Sequence, residues 1–234
     1  MILLSCSAAC TTTFEFSTQV MILPQRQTAL VAKQAASLDV LSGGRFRFGI
    51  GSGWNPIEYE ALGEDFKQRG RRLTEQVEVM RQLWAEPHVT FSGDHHEIDD
   101  AGINPLPTRG SIPLWFGGHE ERMLRRIAKL ADGWMMLAFA PDETALEAFD
   151  NLRGYIREEG RDPADVGIEV WASVGDGDDE KLRADVQFWK DAGVTHITLN
   201  NWYNRPPHKR MVERTADAHI AAMQHYRELV ADLL

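Results

Sequence analysis

Apolar residues along this chain recur at two alternating spacings, one typical of strands and the other typical of helices. Short apolar or alternating runs predict strands at 14–23, 45–51, 112–116, 133–139, 166–173 and 194–199. Apolar residues spaced three or four positions apart predict helices at 28–44, 72–84, 119–131, 142–159, 179–192 and 208–234. Because helices separate the six strands, the pattern predicts an α/β fold with parallel pairing and right-handed crossovers.

One stretch interrupts this alternation. Residues 88–110 read as a β-hairpin with a Ser-Gly-Asp turn, followed by an extended connector. No repeat or low-complexity tract marks a second domain. We therefore predict a single domain over residues 1–234 that carries a hairpin and connector insertion at about 88–111.

Composition narrows the choice of partners and compartment. The 234-residue chain is 43% hydrophobic, which supports a sizeable core, and carries a net charge of −10. Such an acidic chain is a poor candidate for binding nucleic acid or anionic membranes nonspecifically, and no apolar stretch reaches the roughly 20 residues of a membrane span. Two cysteines, Cys6 and Cys10, argue against a disulfide framework. We expect a cytoplasmic protein.

Two architectures fit such a pattern, a Rossmann fold and a (β/α)₈ barrel. The Rossmann fold is disfavoured because no acidic residue follows a Gly-x-Gly-x-x-Gly motif at the required distance. In a barrel, functional residues lie where strands end. Those positions here are 20–26, 51–60, 116–119 and 199–204, and they are rich in Gly, Asn, Trp and Met. This composition suits binding of a flat cofactor better than bond hydrolysis.

A strand that ends in Gly117–Gly118 leads directly into a predicted helix. Unpaired backbone N–H groups at a helix N-terminus can bind an anion such as phosphate. The alternative is a tight turn that needs glycine only for its backbone angles. The residues alone leave both open.

Three segments together resemble the luciferase-like monooxygenase superfamily, and within it the F420-dependent oxidoreductase branch. They are VMILPQRQTALVAKQAASLDVLSGGRFRFGIGSGW, the continuation GSGWNPIEYEALGEDFKQRGRRLTEQVEVMRQLW with its hairpin, and PLWFGGHEERMLRRIAKLADGW. The resemblance covers about residues 3–203 and implies a TIM barrel that binds F420 or FMN at the carboxyl end of its strands.

The resemblance also implies positions for a cofactor site. By this resemblance, Gly117, Gly118 and His119 hold the cofactor phosphate. A non-prolyl cis peptide that faces the flavin-like ring is expected within Val20–Met21–Ile22. Gly51, Gly53, Trp54 and Asn55 border the ring or the substrate. Asn200 and Trp202, where the last strand ends, are candidate substrate-binding residues, and turn formation is their alternative role.

The chain departs from the family pattern in two respects. The first strand, first helix and second strand of the family have no match, so we expect a TIM-barrel-type fold that lacks its first two strands. Residues 3–10 then correspond to the end of the second helix, with Cys6 and Cys10 facing the core. Trp54 stands where some relatives have a catalytic glutamate, so the catalytic residues remain unknown.

Several polar groups have both a functional and a structural interpretation. His119 is compatible with a phosphate contact or with an exposed helix start, and Trp54 with ring stacking, a wall of the barrel mouth or a dimer contact. Glu58 and Glu60 are candidate acids or part of a solvated helix.

The histidines of 93–97 favour a polar hairpin tip over a metal site, and we predict no metal. Arg69, Arg71 and Arg72 suit either a cofactor tail or ion pairs with Glu64, Asp65 or Glu75.

These observations favour an enzyme that transfers a hydride between F420 and a small organic substrate. An FMN-dependent monooxygenase that uses O₂ and a separate reductase is the first alternative. A non-catalytic truncated remnant or partner subunit is the second. Apolar helix surfaces at 27–41 and 72–84 favour a homodimer.

Overall fold

The computed structural model describes residues 1–175 and 177–233. The chain divides into two compact units. The first contains Met1–Gly117 and Leu130–Asp132, and the second contains Gly118–Lys129 and Gly133–Leu234. No helix among the described residues is long and apolar enough to cross a membrane.

The first unit combines four helices with six strands. The helices are α1 (Ile2–Ala9), α2 (Thr28–Ser42), α3 (Pro56–Ala61) and α4 (Arg69–Ala85). The strands are β1 (Phe16–Ser17), β2 (Met21–Ile22), β3 (Phe46–Gly51), β4 (Val89–Ser92), β5 (Glu97–Ala101) and β6 (Leu114–Gly117). Strands β1, β2 and β6 all pair with β3 in parallel, whereas β4 and β5 form the predicted antiparallel hairpin.

Helix α4 supplies much of the core of this unit. Its apolar residues Leu73, Val77, Met80, Leu83 and Trp84 are all buried. The Trp84 indole N–H donates to the carbonyl of Ala32 at 3.0 Å and ties α4 to α2. The expectation that 72–84 offers an apolar surface to a second copy is therefore wrong, because that surface is already the core. On α2, by contrast, Leu30 and Leu41 remain exposed.

The second unit continues the alternation of strands and helices. Its helices are α5 (Glu121–Leu130, of which the last residue belongs to the first unit), α6 (Glu143–Glu158), α7 (Asp179–Asp191) and α8 (Ala216–Leu229). Its strands are β7 (Gly133–Met136), β8 (Gly167–Ser173) and β9 (His196–Asn200), and β8 pairs in parallel with both others. The rings of Trp134, Phe149 and Trp189 are buried together in its core.

The predicted strand 14–23 is in fact two short strands, β1 and β2. Between them the Gln19–Val20 peptide bond is cis although no proline follows. The hydroxyl of Thr18 donates to the carbonyl of Gly49 at 2.6 Å, so a side chain replaces a ladder hydrogen bond in the gap. Leu23–Gln25 then forms a 3₁₀ turn that leads to α2.

The predicted helix 208–234 begins only at Ala216, where the Thr215 hydroxyl accepts a hydrogen bond from the N–H of Ala218. Residues 208–215 are not helical. Pro206 and Pro207 precede them and lack backbone N–H groups, and the His208 side chain is bound to the strand ends described below.

The expectation that Cys6 and Cys10 face the core is also wrong. Both are exposed, and Ala8 is the buried residue of α1. The carboxyl end of α1 is held by polar contacts, because the Arg45 guanidinium donates to the carbonyls of Ala8 and Thr11. The cysteines are left on the solvent side of the helix.

Candidate functional site

In the first unit, the Val20 side chain lies against the ends of β3 and β6. A Cβ atom built at Gly51 would lie 2.8 Å from Cγ2 of Val20, and one built at Gly117 would lie 3.1 Å from its Cγ1. A side chain at Gly51 would therefore displace Val20, and one at Gly117 would be tight against it. Met21 pairs with Ile50 in the adjacent register. The structure thus brings the candidate residues Val20, Gly51 and Gly117 into contact.

In the loop after β3, the candidate residue Gly53 is packed against its neighbours, whereas the candidate residue Trp54 is exposed to solvent. Gly53 has φ +66°, and a Cβ there would lie 2.7 Å from Cγ2 of Ile22, so glycine is needed for two reasons. Trp54 follows it and is 79% exposed. This indole does not pack against the Val20 contact and is available to a ligand or a partner.

Asn55 and Glu58 have structural partners at the start of α3. The Asn55 side-chain oxygen accepts from the N–H of Ile57 at 3.1 Å and caps the helix, while its amide donates to Glu58. Glu58 also accepts from the amide of Gln25. These bonds support the structural interpretation of Glu58 over that of a general acid.

The turn that follows β6 has open backbone donors. Gly118 has φ +121°, and its carbonyl accepts from the Trp134 indole N–H at 2.7 Å, which fixes the turn. His119 is exposed, with its ring 5.9 Å from that of Phe139. Within the described part of the chain, the backbone N–H groups of Glu121 and Arg122 have no hydrogen-bond partner.

This donor set is chemically suited to a phosphate group. Unpaired N–H groups at the first turn of a helix and an exposed imidazole both favour an anion. Two carboxylates oppose it, because Glu120 lies 3.6 Å from His119 and Glu121 belongs to the first turn. Both side chains are exposed, and the Glu121 carboxylate is engaged by the Arg125 guanidinium at 2.9 Å.

In the second unit, three polar side chains meet at the carboxyl ends of the strands. Ser173 ends β8, Asn200 ends β9, and His208 comes from the loop between β9 and α8. Asn200 and His208 are each only 5% exposed. His208 is bound to Ser173 at 3.2 Å and to the carbonyl of Leu137, just after β7, at 2.8 Å. Trp202 is not part of this cluster and is 65% exposed.

Close backbone packing holds the same loop in place. A Cβ at Gly175 would collide with the carbonyl oxygens of Lys209 and Arg210. The N–H of Met211 donates to the carbonyl of Asn201 at 3.1 Å. The loop therefore lies directly over the end of β8.

The His96 side chain of the hairpin has protein partners on both ring nitrogens. The Glu75 carboxylate accepts from Nδ1 of His96 at 2.7 Å and from the backbone N–H groups of Asp94 and His95. Nε2 of His96 lies 2.5 Å from the Thr28 hydroxyl. Burial acts to raise the pKa of Glu75, but these hydrogen bonds outweigh it and lower that pKa. In the described residues no group of three His, Cys, Asp or Glu side chains could hold a metal ion.

The basic run before α4 is tied to its neighbours. Arg72 forms an ion pair of 2.6 Å with Glu64, as one of the two interpretations of this run required. The guanidinium of Arg69 lies over the Phe66 ring at 3.8 Å. Neither arrangement points to a bound cofactor tail.

Sequence reasoning missed Ser173 and His208. Ser173 carried a usable signal, because it is a polar residue at the carboxyl end of a buried strand. His208 carried none, because its position fell at the start of a predicted helix. Only the folded loop shows that it reaches β8.

These observations can be set beside known proteins. The family model for luciferase-like monooxygenases matches residues 1–232, so the chain belongs to that family. An uncharacterized protein of Mycobacterium tuberculosis is 41% identical over 198 residues, which cover 85% of this chain and 66% of the relative. The pyrimidine monooxygenase RutA of Enterobacter cloacae is 31% identical over 170 residues, or 70% of this chain and 46% of that protein. The matched region thus spans about two thirds of the length of the mycobacterial relative. It spans less than half of the length of RutA.

Solved structures agree on the fold. An F420-dependent secondary alcohol dehydrogenase in complex with an F420–acetone adduct matches with a TM-score of 0.74 and 21% identity, covering 85% of this chain and 77% of that one. A coenzyme F420-dependent tetrahydromethanopterin reductase from Methanopyrus kandleri gives 0.65 at 21% identity, with 82% and 63% covered. A riboflavin lyase with modified FMN gives 0.68 at 19%, with 79% and 48% covered. The fold is the α/β, TIM-barrel-like fold of the family.

Proposed function

We propose that this chain is part of an oxidoreductase that transfers a hydride between F420 and a small organic substrate. The observation that carries the proposal is the open first turn of α5, where the N–H groups of Glu121 and Arg122 have no partner among the described residues. Family membership and the likeness in fold to two F420-dependent enzymes support it.

The residues would share the task as follows. Gly117, Gly118 and His119 would hold the cofactor phosphate. Val20, with Met21, would present an apolar surface to the ring and exclude water from it. When bound, a deazaflavin supplies the hydride chemistry, and the chain contributes binding, orientation and the handling of protons.

An FMN-dependent monooxygenase remains the second candidate. The relative RutA is named as a pyrimidine monooxygenase, and the riboflavin lyase structure holds a modified FMN. The same phosphate turn would serve FMN, because both cofactors attach a phosphate to a ribityl-type chain. In that case a separate reductase would be the partner.

We also propose that the chain pairs with a second copy through α2. Leu30 and Leu41 are exposed on this helix and would be covered in a dimer. Helix α4 is not part of the proposed interface, because its apolar residues are buried in the core of the first unit.

A fluorescence titration with F420, and separately with FMN, tests the cofactor proposal. Gly118→Val places a branched side chain at φ +121° in the turn, and Gly160→Val provides a matched control at φ +72°, with no atom near its Cβ. We expect saturable binding of F420, weakened at least tenfold by Gly118→Val and less than twofold by Gly160→Val. FMN binding without F420 binding would select the second candidate. Binding of neither by a folded chain would reject both.

A further inference from the structure

The polar cluster at the ends of β8 and β9 has a fixed direction of hydrogen bonding. Nε2 of His208 lies 2.8 Å from the carbonyl oxygen of Leu137. A carbonyl can only accept, so Nε2 carries the hydrogen. In a neutral imidazole the other nitrogen, Nδ1, is then an acceptor. It lies 3.2 Å from the Ser173 hydroxyl, which must donate to it.

Asn200 completes this arrangement. Its side-chain oxygen accepts from the N–H of Tyr203 at 2.8 Å, which fixes the orientation of the amide. Its Nδ2 then donates to Oγ of Ser173 at 3.1 Å and to the carbonyl of Tyr203 at 3.0 Å. Each hydrogen bond in the cluster therefore has one direction.

The surroundings of His208 disfavour protonation of the ring. Trp171 of β8 and Tyr203 of the loop contact it, with ring centroids 5.2 and 6.4 Å away, and Tyr203 is the titratable group among its ring contacts. Strand β8 also contributes Ser173, and the end of β7 contributes the Leu137 carbonyl. No carboxylate among the described residues bonds to the ring. Burial lowers the pKa of His208, against a smaller raising effect of the Leu137 carbonyl.

Ser173 has one hydrogen-bonding position left. A serine hydroxyl has one hydrogen and two lone pairs. The hydrogen is directed to His208, and one lone pair receives the Asn200 amide. The second lone pair has no partner in the part of the chain that the structure describes. Ser173 is half-buried beside Trp171, which precedes it by two residues on the same face of β8. A second lone pair of a serine hydroxyl can accept a further hydrogen bond.

We propose that Ser173 and His208 form a proton-accepting pair for the hydroxyl group of a small apolar alcohol. The proposal rests on the proposed F420-dependent function. The substrate O–H proton passes to Oγ of Ser173 while the serine proton passes to Nδ1 of His208. The O–H electron pair would form the carbonyl bond, and the oxidised F420 of the proposed function would supply the hydride acceptor for the adjacent carbon. Ser173 is the catalytic residue that touches substrate, and His208 acts through it.

The first test needs no cofactor. Histidine-labelled chain is titrated with cyclohexanol and with cyclohexanone, and the ring signals of His208 are followed by NMR. We expect a saturable shift with the alcohol, which is retained in Ser173→Thr and lost in Ser173→Ala. Signals that do not respond to the alcohol, respond equally to the ketone, or respond in Ser173→Ala would overturn the pair, whether or not F420 binds.

The second test measures cyclohexanol oxidation from the loss of F420 absorbance. Ser173→Ala and His208→Gln should lower kcat at least about 100-fold with a smaller change in KM. The glutamine amide can still donate to Leu137, so loop anchoring is preserved. His208→Gln should also remove the acid limb of the pH profile. A loss in kcat below twofold would overturn the pair. An NMR response without any F420 reduction would reject the proposed function and the oxidation step, and would leave only a hydroxyl-binding site.

Discussion

The carboxyl ends of the strands differ in chemical character between the two units. In the first unit, β3 and β6 end in glycines packed around the side chain of Val20. In the second, β8 and β9 end in Ser173 and Asn200, which join His208 in a polar network. One set of strand ends is apolar and tightly packed, and the other is polar and directional.

The two sets of strand ends therefore differ in the chemical groups that they can offer a ligand. Glycines around a valine define a surface and offer no proton donor or acceptor from their side chains. A buried histidine with a fixed tautomer offers a proton acceptor. Changes in the first region should therefore act through sterics, and changes in the second through hydrogen bonding and charge.

The largest effect is expected from His208→Ala. It removes a buried ring, its contact with Trp171 and its bonds to Ser173 and Leu137. The free energy of unfolding should fall by about 2–4 kcal/mol, measured by urea denaturation. His225→Ala is the control, because that ring is exposed and is paired with the exposed Asp179, and it should cost less than about 0.5 kcal/mol. Equal losses would contradict the anchoring role of His208.

A steric effect of about 1–3 kcal/mol is expected from Gly51→Ala. The new methyl would lie 2.8 Å from Cγ2 of Val20. Adding Val20→Ala should recover part of the loss, because it removes the colliding atom. Denaturation of the two single variants and the double variant measures the coupling. Strict additivity would show that Val20 is not the obstacle.

Acidification should destabilise the second unit through His208. Burial lowers the pKa of this ring in the folded chain, so below about 6.5 the unfolded state binds more protons than the folded state. The contribution of His208 to the free energy of unfolding is complete above that pH. It is lost as the pH falls from there towards the pKa of the ring in the folded chain. His208→Gln should have a flatter dependence of unfolding free energy on pH between 7.5 and 5.5. Parallel curves for the two proteins would exclude this contribution.

The smallest effect is expected from Trp54→Ala. The indole is 79% exposed, so its removal should change the free energy of unfolding by less than about 0.5 kcal/mol. Thermal melts of the variant and the parent chain measure this. A large loss of stability would show that Trp54 packs in the folded chain.

The sequence predicted the parts of the fold that depend on local pattern. Helix α4 and the strand before Gly117 follow from apolar spacing, and the hairpin follows from its turn residues. The break between β1 and β2 could not be foreseen from spacing, because an apolar run does not show where Thr18 replaces a ladder bond. The loop that carries His208 depends on contacts with Leu137 and Ser173, which are distant in the chain.

The positions of three candidate glycines followed from a motif. Gly51, Gly117 and Gly118 lie at strand ends, as the resemblance implied, and the first two share a contact with Val20. Their role in holding a cofactor stays a prediction. Ser173 and His208 belong to no motif and were found only from side-chain geometry.

The most direct test of this account is an F420 titration of the parent chain beside Ser173→Ala. The account predicts saturable binding by both, with dissociation constants within twofold of each other, because Ser173 is assigned to the substrate and not to the cofactor. Failure of the folded parent chain to bind F420 would contradict the proposed function. Binding weakened tenfold or more in Ser173→Ala would contradict the division of tasks between the two sets of strand ends.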